Sequence, residues 1–282
     1  MSEPGTTAPP TADEVRRAVD AVPLWYHTLD LPHGVTTPGW FDLRPIIDRM
    51  PWPDVRGKRC LDVGTWDGQL AFELERRGAS EVVAIDLTDH TQWDVPLRGR
   101  PAVVPTLEAM VGDDKAAGFA TAHRLLRSRV QRREISVYDL SPETVGEFDV
   151  AVCGSLMLHL RDPIRAMEAI RSVTREAFLS AEAFRIRATV MHPRRPLAWL
   201  DADPSLVQWW HPNLAGHRRM LYAAGFRTVR QSRPYVIRAG AAHPTSTTLH
   251  HRALSLGRRA LLGSDGFPHV AILTRPDPDA HA

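Results

Sequence analysis

From Lys58 onward the chain alternates short apolar runs with segments of helical period. The apolar runs are KRCLDVG (58–64), EVVAID (81–86), EISVYD (134–139), FDVAVCGS (148–155), AFLSAEAF (177–184), FRTVRQSRPYV (226–236) and FPHVAILTRP (267–276). Each is short, bounded by turn residues and rich in β-branched or aromatic side chains, which predicts seven strands. Between them lie helices. In GQLAFELERRG, Leu70, Ala71 and Leu74 share one face and Gly78 stops the run. Residues 115–130 predict an Arg-rich amphipathic helix. In RDPIRAMEAIRSV, Asp162 is an N-cap, Pro163 sits in the first turn, and Ile164, Met167, Ile170 and Val173 recur at helical spacing. A further helix is predicted over 213–224, before Gly225. Upstream, helices are expected at 12–22 and around 41–50, joined by an aromatic-rich ordered loop, WYHTLDLPHGVTTPGW. Strand–helix alternation of this kind implies an α/β fold, doubly wound and Rossmann-like. Its seven-stranded, mostly parallel sheet carries helices on both faces, with ligands at the carboxyl ends of the strands.

The expected organisation is a Pro/Thr/Ala-rich tail (1–10), disordered, then a helical and loop cap (11–57) and one catalytic domain (58–282). Two insertions decorate that domain, 187–212 with Trp199, Trp209 and Trp210, and 239–266 with the helix-like LHHRALSLGRRALLG. Nothing resembles a signal peptide or a membrane span, so a cytoplasmic location is expected. Cys60 and Cys153 fall inside strands and read as core residues, not as a disulfide or metal pair. The net charge of +2 is too small for a nucleic-acid footprint, and nearly all the basic residues are arginine, Lys58 and Lys115 excepted.

Chemistry concentrates at the strand ends. Asp62-Val63-Gly64-Thr65-Trp66-Asp67-Gly68 follows the first strand and opens the first helix. Its glycines let backbone approach a ligand where a Cβ would intrude. The second strand ends in Asp86, about 20 residues past Gly64, as expected of an acid that accepts both ribose hydroxyls. The third ends in Asp139, placed for an adenine amine, with Leu87 and Leu140 for the two faces of the ring. A dinucleotide site would want glycine where Trp66 stands and no second carboxylate such as Asp67, because pyrophosphate is anionic. A sulfonium with an amino-acid tail tolerates both.

LDVGTWDGQLAFELERRGASEVVAID resembles motif I and the following acid of class I S-adenosylmethionine-dependent methyltransferases. More narrowly, WYHTLDL, CGSLMLHLRDP and WWHPNLAGHRRMLYAAGF are similar to the branch that holds the tRNA wobble-uridine carboxymethyltransferase. The resemblance spans residues 24–235 and implies S-adenosylmethionine as cofactor, held by Asp62, Gly64, Thr65, Gly68, Asp86, Leu87, Asp139 and Leu140. That branch places a carboxylate-binding tyrosine where Leu158 stands here, which points to the plain cofactor. His159, past the fourth strand, is either a general base or a structural histidine. Trp209, Trp210, His211 and Asn213 are substrate-pocket candidates, and Trp25, Tyr26 and His27 are placed to close from the N-terminal side. Adjacent His250 and His251 point apart on a helix and read as surface. Three functions follow: a methyltransferase for a small-molecule acceptor, one for RNA (supported by Arg124, Arg127, Arg129, Arg132 and Arg133), or a non-catalytic nucleoside-binding protein.

Overall fold

The computed structural model describes residues 9–112, 114–202, 207–244 and 266–281. Five parallel strands form the centre of the sheet: β2 (Arg59–Val63), β3 (Glu81–Asp86), β4 (Gln131–Glu134), β5 (Phe148–Gly154) and β6 (Thr174–Ala183). They lie in the order β6-β5-β2-β3-β4, and antiparallel β11 (Phe267–Pro276) closes on β6. The chain runs outward from β2 to β4, then returns to place β5 on the other side of β2. The order therefore switches between the tips of β2 and β5, where such sheets leave a crevice.

Side chains alternating from these strands fill two core layers. One face buries Cys60, Val82, Val150 and Leu179 against Leu70 and Leu74 of α2 (Gln69–Arg76) and Phe119 of α4 (Ala117–Leu126). The other buries Leu61, Val83, Ala151 and Phe178 against Met167 and Ile170 of α6 (Pro163–Val173) and Leu221 of α8 (Leu214–Ala223). Asp162 caps α6 by accepting the Arg165 amide at 3.1 Å, with Pro163 at the first position. Met167, Ile170 and Val173 are buried as the period predicts, whereas Ile164, in the first turn, remains 37% exposed. Both cysteines are fully buried and unpaired.

Several elements differ from the sequence pattern, each for a local reason. The run FRTVRQSRPYV is two strands, β9 (Phe226–Gln231) and β10 (Tyr235–Ala239), set end to end along β11. Pro234 has no N–H to continue the ladder, and Ser232 bridges the break: its amide donates to Ala271 O and its hydroxyl accepts the Ala271 amide. With the short β1 (Phe41–Asp42) added to the edge of β10, the sheet has nine strands among the described residues rather than seven. That strand and a single 3-10 turn at Ile47–Arg49 replace the helix expected over 41–50, which Pro45 interrupts. The predicted helix 115–130 is shorter, because Arg127 turns left-handed at φ 52°. A helix the pattern missed, α3 (Arg100–Val111), precedes it despite Pro101 and Pro105. The third strand stops at Glu134, and Val137–Asp139 forms a 3-10 turn capped by Ser136.

Ahead of the sheet, α1 (Ala12–Asp20) and the loop after it pack on α4 through Val15, Val19, Trp25, Leu29 and Leu125. In the first insertion, β7 (Ala198–Leu200) pairs with β8 (Trp210–Pro212), Trp199 opposite His211. The helix expected in the second insertion, with His250 and His251, lies outside the described residues, as does most of the N-terminal tail. Among the described residues no helix is long and apolar enough to cross a membrane.

Candidate active site

A cavity of about 280 Å³ opens at the switch between β2 and β5. One wall is the β2–α2 turn with Asp62, Gly64, Thr65 and Leu70; another is the tip of β5 with Gly154 and Ser155; the 3-10 turn Met157–His159 brings Leu158 and His159. The rest of the lining includes Tyr26, His27, Phe41, Leu43 and Met50, and Tyr235, Ile237, Phe267 and His269 on the antiparallel strands. No lysine or arginine among the described residues lines it.

Asp62 is 1% exposed, and its Oδ2 and the Thr65 hydroxyl are buried without hydrogen-bond partners. Burial drives the Asp62 carboxyl up to about 7, against the opposing charge of nearby His27. An acceptor left unmet inside a protein costs free energy unless a ligand satisfies it. Beside it the backbone makes room: Gly64 is left-handed at φ 77°, and a Cβ there would sit 3.0 Å from Leu156. Gly68, at φ 94°, has a different role, since a Cβ there would strike Phe72 at 2.4 Å; it packs the turn onto α2.

The N-terminal segment is fastened by the motif's second carboxylate. Asp67 is fully buried; its Oδ2 accepts the amides of Tyr26 and His27 at 2.9 and 2.7 Å, and its Oδ1 lies 2.5 Å from His27 Nδ1. Tyr26 stacks on Trp66 at 4.5 Å. Trp25 is buried behind them, its indole donating to Val19 O, and does not reach the cavity.

Asp86 holds the end of β3, but its carboxylate is already engaged. Oδ2 accepts the Trp66 amide at 2.6 Å; Oδ1 accepts the Leu87 amide at 2.7 Å and the Lys115 ammonium at 2.6 Å. Lys115 is only 3% exposed at its side chain, lies 4.6 and 4.5 Å from the Trp66 and Trp93 ring centres, and also donates to Leu87 O. Burial pushes its pKa down, and Asp86 opposes that shift. Asp139 is exposed on the turn past β4 and Leu140 is buried beneath it; neither lines the cavity, nor do Asp86 and Leu87. Of the arginines expected to meet RNA, Arg132 pairs with Glu134 at 3.1 Å, Arg129 approaches Glu75 at 3.7 Å, and Arg124 and Arg127 are exposed.

His159 Nδ1 contacts Val207 O. A carbonyl accepts only, so Nδ1 carries the proton and Nε2 is the basic nitrogen. Burial lowers the His159 pKa, and the ring lines the cavity neutral. His211 also lines it, Nε2 3.3 Å from Asp201 Oδ2, its pKa lowered by burial and then by Arg185. The neighbouring candidates lie outside the cavity. Trp209 donates its indole N–H to Asp94 O, and Trp210 to Arg161 O at 2.9 Å. Asn213 caps α8, accepting from Gly216 and Leu197 and donating to His192 O and Arg195 O.

Four residues near the site were missed by the sequence. Ser155 is left-handed at φ 54°, a conformation that costs a non-glycine residue free energy and clusters at functional sites. Its hydroxyl lies 2.8 Å from His269 Nε2, while His269 Nδ1 donates to Phe267 O at 2.9 Å, so Ser155 donates to His269. Burial lowers His269 to about 4. Tyr235 stacks near-parallel on His269 with centroids 6.2 Å apart. Beneath the β5 loop, Glu182 accepts the Leu156 and Met157 amides at 3.4 and 3.3 Å, and burial raises it to about 8. Ser155 was findable, being the residue past the β5 tip; the other three sit on β6, β10 and β11, where the apolar pattern hides them.

A family model described as a methyltransferase domain matches residues 42–231, well over half of the chain. A ubiquinone biosynthesis O-methyltransferase of Acinetobacter baumannii (strain AYE) is 30% identical over 132 residues, 45% of this chain and 46% of the relative. The chain thus spans about half the length of the curated relatives it matches. Among solved structures, the N-terminal domain of EvdMO1 with SAH bound superposes with TM-score 0.54 at 13% identity, over 97% of this chain and 100% of that one. A putative methyltransferase from Bacillus halodurans C-125 gives TM-score 0.50 at 13% identity, over 83% and 98%. At those identities the likeness establishes the shared fold.

Proposed function

Because this chain belongs to the methyltransferase domain family, we propose that it passes the methyl group of S-adenosylmethionine to a small-molecule acceptor held in the cavity at the β2–β5 switch. The observation that carries the reading is the buried, unpartnered Asp62 carboxylate oxygen beside left-handed Gly64. A buried acid of this kind calls for a cation with N–H donors, and the cofactor's amino-acid ammonium is one. The cofactor supplies a methyl group already activated on sulfonium, so the protein's task is to align the acceptor, exclude water and take up a proton. In this reading Asp62 and Thr65 hold the amino-acid end, and Asp86 accepts the ribose hydroxyls once Lys115 has withdrawn. Asp139, exposed on the turn past β4, is then the group placed for the adenine amine.

Relatives named O-methyltransferases support oxygen as the methylated atom. An enclosed aromatic cavity suits a small molecule better than a polynucleotide. Labelled S-adenosylmethionine incubated with a metabolite extract, followed by mass spectrometry, tests the assignment; label appearing in RNA alone would overturn it.

The plain cofactor is preferred to a carboxylated one. Leu158 offers no hydrogen bond, and no lysine or arginine among the described residues lines the cavity, so an added carboxylate would be buried unpaired. In direct competition S-adenosylmethionine is expected to win by roughly tenfold or more. A clear preference for carboxy-S-adenosylmethionine would restore the wobble-uridine type of chemistry.

His159 is the base for the acceptor proton, through Nε2. His159→Ala is expected to fold and to bind S-adenosylhomocysteine normally while turnover falls about 10²-fold. Wild-type turnover should rise with pH through an apparent pKa below the ordinary histidine value, because burial lowers His159, and that limb should vanish in the variant. Unchanged turnover in His159→Ala at saturating acceptor would reduce the residue to a structural role.

A further inference from the structure

The cavity carries unmet hydrogen-bonding groups from both its parallel and its antiparallel strands, besides His211 Nε2, which lies 3.3 Å from Asp201 Oδ2. On the parallel side these are Asp62 Oδ2 and Thr65 Oγ1, which the proposed cofactor would satisfy. On the antiparallel side stands the Tyr235 hydroxyl. Tyr235 is 5% exposed and lines the cavity, and its hydroxyl has no hydrogen-bond partner. Its surroundings are apolar and aromatic: Phe41 and Phe267 meet edge to face at 5.3 Å, with Leu43, Met50 and Ile237 beside them. The nearest polar pair is already internally satisfied, with His269 Nε2 receiving the Ser155 hydroxyl proton and the Tyr235 ring stacked on the imidazole. A phenol fixed by stacking, with nothing to bond to, stands ready for one oxygen of a ligand.

We propose that the Tyr235 hydroxyl recognises the methyl acceptor, and that the acceptor is a neutral, flat, largely apolar ring compound presenting a hydroxyl or carbonyl oxygen to it. The proposal rests on the methyltransferase reading of the same cavity. Neutrality follows from the lining: among the described residues no lysine or arginine reaches it, and burial keeps His159, His211 and His269 uncharged. Flatness follows from the aromatic walls. Tyr235 also remains a donor, because burial, and then the charge of Glu182, raises its pKa. A carboxylate on the ligand would find no counter-charge among the described lining residues.

Three probes on one ring skeleton separate these claims: 2-naphthol, naphthalene and 2-naphthoate. They are titrated by fluorescence into the full chain with and without S-adenosylhomocysteine. The wild type is expected to bind 2-naphthol about tenfold more tightly than naphthalene, the scale of one buried hydrogen bond, and 2-naphthoate more weakly than either. Tyr235→Phe removes only the unpartnered oxygen. It should keep naphthalene binding, lose the tenfold preference for 2-naphthol, and melt no lower than the wild type, since no bond within the fold is lost. A preference that survives in Tyr235→Phe, failure of 2-naphthol to saturate the wild type, or tighter binding of 2-naphthoate would each overturn the proposal. Loss of S-adenosylhomocysteine binding would count against the cofactor reading alone, because the probe titrations are read independently of it.

Discussion

Asp62→Asn is expected to make the free protein more stable at pH 8 and nearly unable to bind S-adenosylmethionine. The carboxyl is fully buried with one oxygen unpartnered, and its pKa rises from 3.8 to about 7. A carboxyl raised on folding binds more protons in the folded than in the unfolded chain between those two values, so stability falls as pH climbs through that window. By pH 8 the folded protein carries the full penalty of an ionised buried acid, on the order of 2–4 kcal/mol. An amide of the same shape carries none. Calorimetric melting should therefore show the variant several degrees above the wild type at pH 8 and little different near pH 4. The same change removes the charge that would meet the cofactor's ammonium, and affinity should drop on the order of 10²–10³-fold, the scale of breaking a buried ion pair. Calorimetry showing unchanged affinity would remove Asp62 from the site.

The other titrating groups fix the shape of the pH profile. Glu182, raised from 4.5 to about 8, adds a second downward slope and extends it past neutrality. His217, lowered from 6.5 to about 3, and His269, lowered to about 4, act with the opposite sign. Each stays neutral in the fold while the unfolded chain protonates, so their stabilisation is lost as pH falls below 6.5 and is constant above it. From there to pH 8 the two raised carboxyls, Asp62 and Glu182, both pull stability down as pH rises.

The parallel half of the molecule was legible because local and global signals agree there. Buried runs, the Asp162-Pro163 start and the Gly78 stop all report short-range physics that the sheet then uses. Asp62, Gly64 and His159 line the cavity as one rule predicts, that residues at the strand tips face the crevice. The antiparallel half was not legible in the same way. The break between β9 and β10 depends on Ser232 bonding to Ala271, 39 residues away, and the facing of Tyr235 is set by its register against His269. Asn213 shows the converse: its polarity suggested a substrate contact, yet its amide is spent on backbone groups of the insertion. Lys115, one of two lysines in the chain, gave no local sign of its partner, since its ion pair with Asp86 closes over 29 residues.

That ion pair sets the second large effect. In the free protein the Lys115 ammonium, between Trp66 and Trp93, occupies the carboxylate that the proposed reading assigns to the nucleoside. Asp86→Ala strands a buried ammonium and also removes the acceptor of the Trp66 and Leu87 amides, so it should destabilise the free protein by about 3–5 kcal/mol and abolish S-adenosylhomocysteine binding. Lys115→Met separates the two roles. It leaves the Asp86 carboxylate without its counter-charge, so the free protein should also melt lower. In that variant, however, ribose hydroxyls meet a carboxylate no longer held by an internal cation. The ligand-induced rise in melting temperature should therefore exceed that of the wild type, because a ligand stabilises in proportion to the free energy it gains on the folded state. Scanning calorimetry with and without S-adenosylhomocysteine reads both quantities. If Lys115→Met shows a smaller ligand-induced shift than the wild type, Lys115 belongs to the bound site and does not compete with the nucleoside. If Asp86→Ala binds with unchanged affinity, the acid at the tip of β3 only holds Lys115 and the turn.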